Sequence, residues 1–285
     1  MTKLRLGYAT QSKYFLDLEP LHDYFEFIPA NQTQPTDLVI SEILNPAVTT
    51  NPIIVNNLFE QTRSYNGNSL HLTGRWFFWA HEYYQNIKYK RDQVDTFSTR
   101  KSKLALMPMG NLRPHRTRAR EVFEPLLDKM YWSYLAQGKT LPMNLQRDRQ
   151  VEPLWYKDTF TSVVCETTML DQMFITEKTF KPLSYDHPLL VIGNQHLLRE
   201  LKQQGFETFD NIFDESYDAI EDADKRIQGV YQNVLELDNR ELVYDNETVS
   251  RVKHNRELFY NKQRVDSIII NEIVNPILEY AETRH

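Results

Sequence analysis

The sequence predicts an α/β protein of two domains that ends in helices, and three observations carry that expectation. Short apolar runs punctuated by turn residues recur over the first hundred residues, and strand-like and amphipathic stretches alternate over the second half. The 285 residues also exceed one domain at roughly 150 residues per domain. Composition agrees: 41% hydrophobic residues supply a core, and 33 Lys and Arg against 39 Asp and Glu leave a formal charge of -6. Disordered, collagen-like and disulfide-scaffolded classes are thereby excluded.

The elements follow in order. Residues 4–9, 24–28, 38–43 and 53–57 read as strands between Pro- and Asn-containing turns, the core of an N-terminal α/β domain over residues 1–105. An aromatic run from Trp76 to Tyr84 and a polar basic segment without apolar periodicity, 88–103, lead to the boundary. Residues 103–107 then read as a strand, 108–111 as a turn, and 114–130 as a helix with Val122, Phe123, Leu126 and Leu127 on one face. Strands over 160–165, 189–192 and 206–209 alternate with helices from Thr176 and over 196–204, the pattern of a parallel sheet covered on both faces. Helices over 217–237, 248–265 and 267–282, the last interrupted at Pro276, complete a second domain, residues 106–285, with the final helices able to pack back across the first domain.

Several chemistries drop out. A single Cys165 makes neither an internal disulfide nor a thiolate metal cage, and points to a reducing compartment. With no apolar run of about 18 residues and no apolar leader after MTKLRLGYAT, the expectation is a cytoplasmic protein without a membrane span. The eight glycines form neither G-x-G-x-x-G nor a Walker A loop, and no G-x-S-x-G occurs. His81-Glu82-Tyr83-Tyr84-Gln85 places Gln where a zinc peptidase needs its second histidine. Charge is uneven: Lys88, Lys90, Arg91, Arg100, Lys101, Lys103, Arg113, Arg116, Arg118 and Arg120 face only Asp92 and Asp95 over their stretch, which reads as a segment ready to meet an anion.

The segment that carries chemistry runs Thr161-Ser162-Val163-Val164-Cys165-Glu166-Thr167-Thr168, a turn with Asp171 and Phe174, Ile175-Thr176-Glu177-Lys178-Thr179-Phe180-Lys181-Pro182-Leu183, and His187-Pro188-Leu189-Leu190-Val191-Ile192-Gly193. Read physically, it is a strand ending in a carboxylate, a loop, a helix capped by Thr176 and shortened or kinked by Pro182, and a second buried strand. Free amides at the helix start, with Lys178 and Lys181 about one turn apart, suit a diphosphate. Glu166 and Glu177 lie near the C-terminal edge of the sheet, where open α/β sheets bind ligands, and suit ribose or sugar hydroxyls. The same residues also read as a plain capped helix with an acid in its first turn.

Over residues 160–195 this block resembles the donor-binding region of α1,3-fucosyltransferase-type GT-B glycosyltransferases, which reads Phe-Glu-Asn, then Tyr-x-Thr-Glu-Lys, then Val-Pro-Val and a Gly. Cys165-Glu166, Thr176-Glu177-Lys178 and Pro188 to Gly193 carry the resemblance, with Thr167 in place of the Asn and Phe174 in place of the Tyr. It implies two Rossmann-like domains facing a cleft, a nucleotide-diphosphate sugar as donor substrate with no obligatory cofactor, Glu177 on the nucleotide ribose and Lys178 on the diphosphate.

Two further segments fit it. Asn111-Leu112-Arg113-Pro114-His115-Arg116 follows a strand and opens a helix, the place from which such enzymes send an arginine to the diphosphate, and the guanidinium fork of Arg113 or Arg116 bonds phosphate oxygens in pairs; the other reading is a basic surface helix. Residues 53–57 lead to Glu60, which resembles the strand and Glu that supply the family's general base, with Glu42, Asp37 and Glu82 as competitors. Asp222-Ala223-Asp224 has the spacing of a sugar-transferase metal motif, but Ala219, Ile220 and Ile227 set a buried side that leaves the acids solvated, so no metal ligand is assigned. The aromatic run reads as core rather than as a stacking surface for sugar or base, since consecutive large rings cannot all be exposed.

The function expected is inverting, metal-independent transfer of a sugar to a hydroxyl acceptor, either a glycan or hydroxylated DNA bases. The alternative is a non-catalytic nucleotide or nucleic-acid binding module.

Overall fold

The computed structural model describes residues 3–8, 15–34, 37–41, 53–57, 64–66, 69–73, 77–88, 96–97, 100–141, 153–169 and 173–283. The chain forms two compact units, Met1–Lys90 with Asn261–His285, and Arg91–Tyr260. Sequence set one boundary near residue 105; the units divide after Lys90 and again after Tyr260, because the last helices pack on the first unit's elements.

In the first unit, β1 (Leu4–Tyr8), β2 (Phe25–Pro29), β3 (Leu38–Ser41), β4 (Ile53–Asn57), β5 (Ser64–Asn66) and β6 (Ser69–Thr73) form one sheet in the order β2-β1-β3-β4-β6-β5. The pairings are parallel apart from the β5–β6 hairpin. Leu6, Val39, Ile40, Ile54, Leu70 and Leu72 are buried, which is why these short apolar runs become strands rather than surface loops. In β1 a Cβ at Gly7 would collide with the Thr33 side chain, so the close approach of the neighbouring segment favours glycine there. The single-turn α1 (Leu21–Tyr24) precedes β2, and α2 (Phe77–Lys88) buries Phe77, Trp79, Tyr83 and Tyr84, as expected of a core stripe.

The second unit holds β7 (Lys103–Met109), β8 (Tyr131–Tyr134), β9 (Thr159–Cys165) and β10 (Leu189–Ile192), all parallel, in the order β10-β9-β7-β8. Its helices are α3 (Pro114–Phe123), α4 (Pro153–Asp158), α5 (Glu177–Ser184), α6 (Leu197–Gln203), α7 (Ala223–Leu237) and α8 (Asn246–Phe259). Every residue of β9 and β10 is buried. The hydroxyls of Ser162 and Thr159 on β9 are met by His187 Nδ1 at 2.9 Å and Nε2 at 3.2 Å, so this histidine is a core group. The chain leaves β7 for β8 on one side and returns to β9 on the other. Between the loops that follow β7 and β9 lies the switch point of the sheet, the usual ligand crevice of such folds.

Proline and side-chain caps divide the long helices that the sequence suggests. Pro125 has no N–H for the Glu121 carbonyl, and after α3 the chain tightens into a 3₁₀ turn, Glu124–Lys129. Asp222 caps α7 by accepting from Lys225 N, so the preceding Glu215–Ala219 is a separate 3₁₀ turn. Asn261 caps α9 (Lys262–Ile269) and separates it from α8. The strand expected over 206–209 is absent because its backbone is bonded to side chains: Glu207 N and O are bonded by the Asn255 amide at 2.7 and 2.8 Å, and Phe209 N donates to Glu215 at 2.7 Å.

The return segment closes the first unit. On α9, Asp266 accepts from Tyr84 at 2.5 Å, Arg264 lies 5.7 Å from the Trp79 ring centroid, and Lys262 bridges Asp266 and Glu19 at 2.6 and 3.2 Å. A π turn, Ile270–Val274, joins α9 to α10 (Asn275–Glu282), and Pro276 stands in the first turn of α10, where its missing N–H costs little. Among the described residues no helix is long and apolar enough to cross a membrane.

Candidate active site

Of the residues singled out from sequence in the second unit, Arg116 and Thr176 bond directly to Glu166, which follows the last residue of β9, and Lys178 joins them through Thr176. The Glu166 carboxylate is fully buried and accepts four hydrogen bonds: Oε1 from Thr176 N at 2.9 Å and Thr179 Oγ1 at 2.7 Å, Oε2 from Thr176 Oγ1 at 2.6 Å and Thr167 N at 3.2 Å. It ties the end of β9 to the first turn of α5 across the loop between them. Its backbone carbonyl accepts from Arg116 Nη2 at 3.1 Å and from His115 Nε2 at 2.8 Å. Glu166 thus fastens the start of α3, beyond β7, and the start of α5, beyond β9, to the same point of the sheet edge.

Arg116, read from sequence as a diphosphate ligand, is buried, and its guanidinium donates to the carbonyls of Asn111, Cys165 and Glu166, each at 3.1 Å. Arg113 stands exposed at the N-cap of α3, with Pro114 at the first helical position, where a missing N–H costs nothing. Between them His115 is partly exposed, and its basicity is lowered by burial, with the Glu166 carbonyl opposing and the charges of Arg116 and Arg113 reinforcing that shift.

Thr176 is the N-cap of α5, as its sequence position suggests, and its hydroxyl accepts from Lys178 N. Lys178 Nζ lies 2.7 Å from Glu177 Oε1, 3.1 Å from Thr176 Oγ1 and 3.2 Å from Thr167 Oγ1, so the ammonium is held at the mouth of the loop. Both members of the Glu177–Lys178 pair remain partly exposed, at 30% and 28%. Burial works to raise the Glu177 carboxyl, but Lys178 and Lys181 outweigh it and hold the group down at about 2. A paired carboxylate and ammonium at a helix start are chemically suited to a ribose diol and a phosphate oxygen. Lys181 sits in the last turn of α5, partly buried. Cys165, beside Glu166, is fully enclosed and its thiol is pushed up to about 12, which leaves it unreactive at neutral pH.

The described basic residues of this stretch are mostly drawn into pairs of their own. Lys88 pairs with Asp17, Arg118 with Asp224, Arg120 with Glu124 and the exposed Arg100 with Glu241, while Lys101 and Lys103 donate to backbone carbonyls. Lys90 and Arg91 lie outside the described residues. Asp222 caps α7 and Asp224 takes Arg118, which accounts for the Asp-Ala-Asp spacing without a metal. In the first unit, Glu60 and Glu42 lie outside the described residues. Asp37 precedes β3, at the sheet edge opposite the strand C-termini, where it accepts from Gln34 N at 2.6 Å and pairs with Arg5 at 3.4 Å. Glu82 is buried on α2. His115, to which sequence assigns no role, joins the cluster around Glu166; its place directly after an N1 proline beyond a strand is the signal in the sequence.

The two units carry α/β sheets that are parallel apart from the β5–β6 hairpin, and in fold the chain is distantly similar to GT-B glycosyltransferases. Among solved structures, the DNA-modifying enzyme β-glucosyltransferase, determined in the presence and absence of its substrate uridine diphosphoglucose, shares the fold with a TM-score of 0.52 at 8% identity, over 98% of this chain and 100% of that one. An α1,3-fucosyltransferase crystal structure aligns with a TM-score of 0.46 at 10% identity over 91% of each chain. No protein-family model matches the sequence, and no curated protein matches it.

Proposed function

We propose that the chain is a glycosyltransferase that moves a sugar from a nucleoside-diphosphate sugar to a hydroxyl acceptor with inversion. One observation carries the reading: the N-terminus of α5, with Glu177 and Lys178 in its first turn, is fixed by Glu166 at the switch point of a parallel sheet, beside exposed Arg113. Amides and cations at a helix start are the chemistry that stabilises a departing diphosphate. In this reading Arg113 and Lys178 neutralise the diphosphate in place of a metal ion, Glu177 takes the ribose, and Lys181 adds positive potential one turn on. Arg116, Thr176 and Glu166 act by holding the two loops.

The acceptor hydroxyl gives its proton to a carboxylate base, for which Glu60 is the candidate. The acceptor oxygen bonds to the anomeric carbon as the bond from that carbon to the diphosphate oxygen breaks, and the nucleoside diphosphate leaves with the electron pair. The resemblance of residues 160–195 favours a glycan acceptor; the fold shared with a DNA-modifying glucosyltransferase favours a hydroxylated base, which in duplex DNA has to leave the stack.

The test is a thermal-shift panel of GDP, UDP, ADP, CMP and TDP and their sugars. One nucleotide should raise the melting temperature, Lys178→Ala should abolish the shift, and the matching sugar nucleotide should be slowly hydrolysed. Binding without any hydrolysis or transfer would favour a binding module, and no shift in a folded sample would overturn the donor site.

A further inference from the structure

We infer that His115 is a ligand-contact residue of this site, presenting Nδ1 as a hydrogen-bond acceptor to a hydroxyl or N–H of the bound nucleotide sugar. The inference rests on the donor-site reading above and names a contact which that reading does not require.

Nε2 of His115 lies 2.8 Å from the Glu166 carbonyl oxygen. A carbonyl only accepts, so Nε2 carries the ring proton and Nδ1 carries a lone pair. Nδ1 has no hydrogen-bond partner among the described residues, and the side chain is partly exposed on the edge that presents Arg113. The ring is held rather than free: Pro114 starts the helix, and Arg116, the next residue, donates to the same carbonyl at 3.1 Å. Apart from Glu177, which is given to the ribose above, the surrounding groups are of the other kind or already engaged. Arg113 and Lys178 only donate, Arg116 faces backbone carbonyls, and the Glu166 carboxylate is filled by four donors.

A nucleoside-diphosphate sugar brings acceptors on its phosphates, which suit those cations, and donors on its ribose, sugar and base, which need an acceptor of fixed direction. Imidazole with its other nitrogen tied to the main chain supplies one. The lowered basicity described above favours the neutral ring that this contact requires.

Two substitutions separate the two ring nitrogens. His115→Gln reaches the Glu166 carbonyl with its amide but has no atom at the Nδ1 position, whereas His115→Asn keeps an acceptor near Nδ1 and drops the tie. Titration calorimetry with the nucleotide sugar that best stabilises the wild type should show about tenfold weaker binding for the Gln variant, the worth of one hydrogen bond, at a nearly unchanged melting temperature. The Asn variant should melt lower but bind within about threefold of wild type.

A series of deoxy-ribose and deoxy-sugar donors should contain one that loses affinity for the wild type and loses no more for the Gln variant. Wild-type affinity in the Gln variant, or deoxy donors that all behave alike in both proteins, overturns the contact while leaving the donor site standing. Failure of every nucleotide sugar to bind the wild type overturns both.

Discussion

Replacing Glu166 by Gln exchanges one oxygen for an NH₂ inside a pocket that offers only donors. The amide oxygen can take the Oε1 position and keep Thr176 N and Thr179 Oγ1. Its NH₂ then faces Thr176 Oγ1, whose lone pairs are already taken by Lys178, and Thr167 N, which cannot accept. The reverse flip is worse, because it sets NH₂ against the buried Thr176 amide. The change therefore strands one backbone N–H and removes charge assistance from the remaining bonds, a loss of about 2 kcal/mol. For a unit of this length that lowers the melting temperature by about 4–8 °C. Calorimetric melting at pH 7 reads the loss, and hydrogen exchange of the Thr176 and Thr167 amides should accelerate at the same time. A melting temperature within about 1 °C of wild type, with those amides still protected, would refute the picture of a carboxylate clamp at this edge.

Three other outcomes are expected. Burial holds the His187 imidazole down at about 3 against the Thr159 carbonyl, so the unfolded chain takes up that proton first; the gap in melting temperature between wild type and His187→Phe should narrow as pH falls from about 6.5 toward 3, and a gap independent of pH would contradict it. Glu177 works in the acid range: its stabilisation is complete above the ordinary carboxylate value and lost as pH falls to about 2, so Glu177→Gln should melt below wild type at pH 6 and converge with it near pH 2. Gly229→Ala should destabilise α7 by about 1–3 kcal/mol despite better helix propensity, because the new methyl meets Tyr217 Cβ at 2.5 Å; a rise in urea midpoint would show that the Tyr217 turn yields freely.

The sequence exposes the second unit's central strands because β9 and β10 are unbroken runs of buried residues, and it exposes the α5 start because Thr176 has the cap chemistry written in its side chain. It hides β8, α4 and the β5–β6 hairpin, which are too short to show a period and are fixed by neighbours distant in sequence. Charge density along the chain does not reveal its pairing: Arg118 meets Asp224 and Lys129 meets Asp238 across more than a hundred positions. The same gap explains Glu166. A carboxylate after a strand looks like a ligand hook until the folded loop brings Thr176 and Thr179 onto it. The clue was the row of threonines at 167, 176 and 179, each a donor awaiting an acceptor.

The return of the chain to its first unit has a consequence for the order in which the protein assembles. Tyr84 and its partner Asp266 are separated by 182 positions, and Trp79 receives Arg264 over a similar gap. As the chain emerges from the ribosome, the segment 91–260 is complete while α2 still waits for the helix that covers it. Stop codons after residue 260 would thus spare the edge that carries Lys178 and strip the aromatic face of α2, leaving the damage in the half of the molecule made first.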